Sequence, residues 1–231
     1  PDPIAKICWD NYAIVSPKTA DKNGWTDGSL MRSPTKGSDI ISVTANGKTI
    51  ELPITIQPGL QEDVIAVAVG YGRTKPGNEN CTVGKNVYPL LAASGSALDF
   101  NISNVTVQRA GGGYKMAQTQ THHTIDDERE IINETTLDAY KAKPNSGNYT
   151  GQKYSDEHWV DHHFVSLYPG HDESLNQGHH WGMSVDLNTC IGCAACVVAC
   201  SVENNVPIVG QLQVHRAKEM HWMRIDRYYS S

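Results

Sequence analysis

The chain is poor in the features that identify most proteins at a glance. It has only two phenylalanines among 231 residues, and aromatic residues make up 7%. It has no run of lysine and arginine, and no aromatic stripe interleaved with basic residues. That excludes the usual footprint of a nucleic-acid binder, so no nucleic-acid partner is expected. No apolar stretch approaches the roughly 18 residues that a bilayer-spanning helix needs, so any membrane role must come through a partner. No signal peptide is readable. The chain opens at Pro1 without a methionine and reads as a piece of a longer polypeptide, so a missing leader says nothing about compartment. No Ser-His-Asp constellation, H-E-x-x-H motif or phosphate-binding loop is present.

What the chain does have is 20 glycines and 11 prolines, which favour loops and β-structure over helical bundles. The net charge is −6, from 19 basic and 25 acidic residues. Residues 1–109 read as β-rich. Ile41, Val43 and Ala45 alternate with polar residues up to Asn46-Gly47, a hairpin-turn pair, and Ile50, Leu52, Ile54 and Ile56 continue the alternation on a return strand. Pro53 within that strand predicts an edge position or a bulge. Val64–Val69 reads as a strand buried on both faces. Val105 and Val107 predict another strand, ending before Gly111-Gly112-Gly113.

Residues 110–180 differ in character. Eight of the ten histidines lie between His122 and His180. A short helix is predicted from Asp127 to Tyr140, with Asp126 as N-cap and Ile131, Ile132 and Tyr140 on its buried face. Pro144–Gly178 reads as an extended connector. Residues 181–231 form a third segment, in which Trp222–Tyr229 is predicted to be a strand.

Four of the six cysteines fall in that third segment as Cys190, Cys193, Cys196 and Cys200, spaced C-x2-C-x2-C-x3-C. Soft thiolates select iron–sulfur clusters, zinc or cuprous copper. Structural zinc normally joins two short knuckles across a dozen or more residues, and no such spacer exists here. Neighbouring thiols this close would close strained disulfide loops. A c-type haem needs C-x-x-C-H, and the residues after Cys193, Cys196 and Cys200 are Ala194, Val197 and Ser201. The spacing is that of bacterial iron–sulfur proteins, in which three thiolates hold one cubane and the fourth ligates a neighbouring cluster. Gly192 allows close backbone approach, and Ala194, Ala195, Val197, Val198 and Ala199 supply a small apolar shell. A helix starting near Cys196 would put Cys196 and Cys200 on one face, a turn apart.

Weaker signals accompany this run. Gly70-Tyr71-Gly72-Arg73 follows a predicted strand, as a phosphate-cradling turn does, but no third glycine completes G-x-G-x-x-G. The pairs His122-His123, His162-His163 and His179-His180 suggest metal, yet adjacent residues of a strand face opposite ways and no carboxylate stands at metal spacing. Surface or interface histidine is the expectation. Cys8 and Cys81 are isolated and read as buried thiols.

Two stretches carry a family resemblance. Asp186-Leu187-Asn188-Thr189, the cysteine run, Glu203-Asn204-Asn205-Val206-Pro207 and Trp222–Tyr229 resemble the electron-transfer subunits of the dimethyl-sulfoxide-reductase and polysulfide-reductase group. Gly47–Gly59, Val64–Arg73 and Asn86–Leu90 resemble the C-terminal β-barrel of molybdopterin oxidoreductases. The two together are similar to the large iron–sulfur subunit of alternative complex III, a quinol:cytochrome c oxidoreductase.

That resemblance implies a β-rich α+β fold: a molybdopterin-dinucleotide-binding-like β-barrel region at 1–109, a connector at 110–180, and the start of a ferredoxin-like 4Fe-4S domain at 181–231. It implies 4Fe-4S clusters, with a 3Fe-4S cluster in the complete subunit, and no molybdenum cofactor. Cys190, Cys193, Cys196 and Cys200 are the ligands it carries over, with no catalytic residue in this chain. Its implied partners are multi-haem cytochrome c subunits, a polysulfide-reductase-type membrane subunit that binds quinol, and the remainder of its own polypeptide. Its implied place is the periplasmic face of the bacterial inner membrane. The alternative is a molybdopterin-dependent oxidoreductase, of polysulfide or dimethyl sulfoxide reductase type, fused to its own electron-transfer module.

Overall fold

The computed structural model describes residues 2–28, 37–75, 82–123, 125, 133–147, 178–179, 181–218 and 221–229. In chain order its elements are β1 (Ile7–Cys8), β2 (Ala13–Val15), α1 (Pro17–Asn23), β3 (Ser38–Ala45), β4 (Lys48–Ile56) and β5 (Ile65–Val67). A 3-10 turn (Tyr88–Leu90), β6 (Ala92–Ser94), β7 (Ala97–Asp99), β8 (Thr106–Tyr114) and β9 (Ala117–Gln118) follow. The last are α2 (Leu137–Ala142), α3 (Ala195–Glu203) and α4 (Gln211–His215). The chain is therefore mixed α+β with a β-rich N-terminal part and short helices after it. It divides into two compact units, one of Pro1–His123 with Cys196–Tyr229, the other of Thr124–Ala195 with Ser230–Ser231.

The first unit is built on a five-stranded sheet of order β5-β2-β4-β3-β8. Its centre is the hairpin β3–β4. Asn46 and Gly47 both have positive φ (50° and 71°), the backbone of a two-residue turn whose twist matches the flanking strands. Alternation then sends Ile41, Leu52 and Ile54 into the core, where all three are 0% exposed, beside Ala13 and Val15 from β2 and Trp25. Each large aliphatic side chain so buried contributes roughly 1.5–3 kcal/mol. Two further two-stranded pairs, β1–β9 and β6–β7, complete the β-structure, and no closed barrel forms among the described residues.

Pro53 is not on an edge strand, because β4 is flanked by β2 and β3. It is tolerated for a local reason. The closing pair Ala45–Lys48 of the hairpin exchanges hydrogen bonds, so alternation leaves Pro53, opposite Ile40, at a place where its nitrogen turns away from β3. On the other side β2 begins pairing only at Ile54, so the missing N–H breaks no rung.

Val64–Val69 differs from its expectation as well. Only Ile65–Val67 is strand, it has one neighbour, and Val64 and Val69 are 42% and 37% exposed. These residues line an open groove of about 440 Å³ with Leu90, Phe100 and Val105. Strand β8 does not stop before the glycines. It runs through them to Tyr114, but its register slips against β3: Arg109 pairs Ile41, and Gly113 pairs Asp39. Ala110–Gly112 thus lie opposite Ile40 alone, and Gly111 and Gly112 absorb the bulge with φ of 81° and 77°.

Trp222–Tyr229 forms no strand; only Tyr229 makes an isolated bridge. The carbonyls of Ile225 and Arg227 are taken by Lys6 Nζ and Gln120 Nε2, so they are not offered to a sheet neighbour. In the second unit, α2 begins after Thr136, whose hydroxyl accepts from the Ala139 N–H at 3.3 Å. The N-cap is therefore Thr136 rather than Asp126, and Tyr140 is 52% exposed rather than buried. Asp126–Ile132 and most of the expected connector lie outside the described residues.

Candidate functional site

The cysteine run is introduced by a turn that its own side chains build. Asp186 Oδ1 accepts from the Asn188 N–H at 2.9 Å, and the Asp186 carbonyl accepts from Thr189 N–H at 3.2 Å and Cys190 N–H at 3.0 Å. From Cys190 to Ala194 the backbone is irregular. Gly192 (φ 68°) and Ala194 (φ 59°) both adopt the left-handed conformation. Glycine does so without strain, while an alanine there is held at a cost of about 1–2 kcal/mol. Two left-handed residues within five turn the backbone sharply between Cys190 and the helix that follows.

Helix α3 starts at Ala195 and carries Cys196 and Cys200 one turn apart, as their spacing anticipated. The helix ends cleanly. The Val206 N–H reaches back to the Ser201 carbonyl at 2.9 Å, Asn205 is left-handed (φ 49°), and Pro207 follows. Cys190, Cys193 and Cys196 are exposed, Cys200 is half-buried, and none of the four is in a disulfide. No residue of α3 is buried, although Val198 and Val202 are apolar and 61% and 75% exposed.

The boundary between the two compact units falls within the run: Cys190 and Cys193 belong to one, Cys196 and Cys200 to the other. Among the described residues no three His, Cys, Asp or Glu side chains are gathered as an ion-holding group. The donor chemistry is nevertheless that of an iron–sulfur cluster: four thiols, mostly accessible, separated in sequence by small apolar residues. One further contact supports that fit. Asn204 Nδ2 donates to the Cys200 carbonyl at 2.9 Å and lies 3.5 Å from Cys200 Sγ. An amide donor on a ligating sulfur is one of the levers that set a cluster's potential. The cysteine motif alone gives Asn204 no role; its i+4 spacing from Cys200 on a helix was the available signal.

The weaker signals resolve differently. In Gly70–Arg73, the Gly72 N–H donates to the Val83 carbonyl at 3.0 Å, and a Cβ at Gly72 would meet Asn86 N at 2.1 Å. Close packing of two backbones explains this glycine. Asn11 clasps the same region through Ala68 O, Lys85 O and Lys85 N at 3.1, 2.9 and 2.8 Å. His122 is exposed but its neighbour His123 is buried (6% exposed), which the surface expectation missed. Burial, with the Arg227 guanidinium beside it, holds the His123 pKa below the usual imidazole value. His179 is exposed; His162, His163 and His180 lie outside the described residues, as does Cys81. Cys8 is half-buried on β1.

No family model matches the chain. It is 42% identical over 43 residues to the menaquinone reductase iron-sulfur cluster-binding subunit of Nitratidesulfovibrio vulgaris, covering 19% of this chain and 16% of that protein. It is 43% identical over 44 residues to a tetrathionate reductase subunit of Salmonella typhimurium, covering 16% of this chain and 18% of that protein. The chain therefore spans less than a fifth of the length of the curated relatives it matches. The likeness is short and distant, and it falls on subunits of reductases. Among the described residues no helix is long and apolar enough to cross a membrane.

Proposed function

We propose that this chain is the electron-transfer iron–sulfur part of a membrane-bound respiratory complex. The observation that carries the reading is the C-x2-C-x2-C-x3-C run, placed on a left-handed loop followed by a helix. Cys190, Cys193 and Cys196 would supply three thiolates to one 4Fe-4S cluster, and Cys200 a thiolate to a neighbouring cluster. A bound cluster supplies reversible one-electron chemistry. The chain's own contribution is ligand geometry, the small apolar shell of Ala195, Val197, Val198 and Ala199, and the Asn204 amide beside Cys200 Sγ. The likeness to an iron-sulfur cluster-binding subunit supports the cofactor class.

The finer reading follows the family resemblance. Electrons would pass from quinol through 4Fe-4S and 3Fe-4S clusters toward a periplasmic cytochrome c. The membrane contact would come from a polysulfide-reductase-type subunit. Residues 1–109, built on an open five-stranded sheet rather than the expected closed barrel, would serve as a molybdopterin-type structural half without molybdenum, and 181–231 as the opening of the ferredoxin-like half. The turn at Gly70–Arg73 supports a structural half, since the Gly72 N–H is used within the fold.

The test is metal and sulfide analysis of the assembled complex, with electron paramagnetic resonance after reduction. Several iron–sulfur signals are expected. Replacing Cys193 by Ser should remove or alter one cluster's signal, and Cys200→Ser that of another. Stoichiometric zinc without iron would sink the reading, and bound molybdenum or tungsten would favour a fused catalytic molybdoenzyme.

A further inference from the structure

The segment after α4 returns to the N-terminal end of the chain and straps onto the β1–β9 pair. Arg224 Nη2 donates to Thr119 O at 2.6 Å, and Arg227 Nε to Ile4 O at 2.9 Å. Gln120 makes a two-way bond with the Arg227 backbone, donating to its carbonyl at 2.6 Å and accepting from its N–H at 3.1 Å. Lys6 Nζ donates to Ile225 O, and the Tyr229 N–H donates to His123 O at 2.7 Å. Upstream of these contacts, His221 Nδ1 lies 3.4 Å from the Ser201 hydroxyl on α3. The strap thus holds the chain that follows the helix bearing Cys196 and Cys200.

At its far end the strap covers His123, whose ring environment is chemically specific. Gln118 Nε2 donates to Ala5 O at 2.7 Å and lies 3.3 Å from His123 Nε2. The bond to Ala5 fixes which way the amide points, so Gln118 offers His123 an N–H. His123 Nε2 must then present a lone pair, which requires a neutral ring with its proton on Nδ1. Flipping the amide would set its carbonyl against that of Ala5. We infer that the strap of residues 224–229 is a proton-sensitive latch, closed while His123 is neutral and opened by its protonation.

Protonating Nε2 would set two N–H donors against each other and place a second cation beside Arg227. The charges around the ring do not favour the ion. Burial and Arg227 oppose it, Asp27 favours it, His122 opposes it and Asp226 favours it. Asp226 is itself engaged by Arg224 at 3.2 Å. Arg227 is committed to Ile4 O and stacks 3.9 Å over the Tyr229 ring, so it cannot swing away without releasing the strap. The site also has little in reserve. Among the described residues, Gln118 Oε1, His123 Nδ1, Arg227 Nη1 and the Tyr229 hydroxyl are buried and find no hydrogen-bond partner. Leaving such atoms buried is unfavourable, and opening the strap returns them to water.

The sign follows from linkage. The docked ring has a depressed pKa and the released ring an ordinary one near about 6.5. Docking is therefore strongest above that value, weakens as pH falls through it, and levels off below the docked value. The latch does not depend on the iron–sulfur reading.

Amide exchange of the full chain, followed from pH 7.5 to 5.0, tests it. Protection of the Arg227 and Tyr229 amides should fall about tenfold for each unit separating the docked and released pKa values. In His123→Gln the same protection should be independent of pH. If that variant fails to fold, the wild-type His123 ring proton decides, since its titration must share a midpoint with the loss of protection. Protection constant across the range in the wild type, an unchanged pH dependence in His123→Gln, or a His123 titration unaccompanied by exchange would each overturn the latch.

Discussion

Single residues in this chain are held by polar contacts that reach far along the sequence. Asp39 is the clearest case, 1% exposed beneath the β8 bulge. Burial alone would raise its pKa. The N–H and hydroxyl of Thr26, at 2.8 and 3.0 Å, and Arg109 Nη2 at 2.5 Å outweigh that and hold it below the usual carboxylate value. A depressed folded pKa contributes stability that is complete above the unfolded value of about 3.9 and lost as pH falls through the folded one. Asp39→Asn should lower unfolding stability by about 2 kcal/mol at neutral pH. It should also flatten the acid limb of the stability curve, which denaturant titrations across the acid range would check. Tyr114 shows the converse: burial, then Asp10 at 2.9 Å, push its hydroxyl up to about 12. It stays a neutral donor at physiological pH.

Individual elements show what the sequence disclosed and what it withheld. The β3–β4 hairpin was legible because period-two alternation and the Asn46-Gly47 turn are both local signals. So was the start of α3, because two cysteines four apart define a helical face. Pro53 was misplaced because edge or interior depends on where β2 begins, and β2 is three residues long and lies forty residues upstream. Val64–Val69 was misplaced because an apolar run reads alike whether it has one neighbour or two. Trp222–Tyr229 failed as a strand because Lys6 and Gln120 take its carbonyls, a contact across more than 100 residues. The candidate site divides the same way: the spacing disclosed the helix that carries Cys196 and Cys200, while the left-handed Ala194 and the Asn204 amide beside Cys200 Sγ carry no signal in the cysteine motif. The loop before α3 offers a direct test. Ala194→Gly should relieve the left-handed strain and raise local stability by about 1 kcal/mol. Thermal unfolding would show the gain, with the iron-to-protein ratio of the assembled complex unchanged.

At the scale of the whole molecule, stability should be distributed unevenly. Burial is concentrated around β2, β3 and β4, whereas β7 is exposed at every position and α3 buries no residue. Amide exchange should accordingly be slowest at Ile41, Leu52 and Ile54 and at least tenfold faster in Ala97–Asp99. Equal protection across both would contradict a core centred on the hairpin.

The two borders of the five-stranded sheet also differ from those of a typical open sheet. One border, β5, is three residues long; the other, β8, is kinked by its glycine bulge and carries Arg109. Short, bulged or charged borders are how sheets refuse an incoming strand. This sheet is therefore guarded against strand addition, and so against the stacking that leads to fibrils. Among the described residues, the side chains on the faces of this sheet are therefore better placed to meet a neighbour than its ladder is to lengthen.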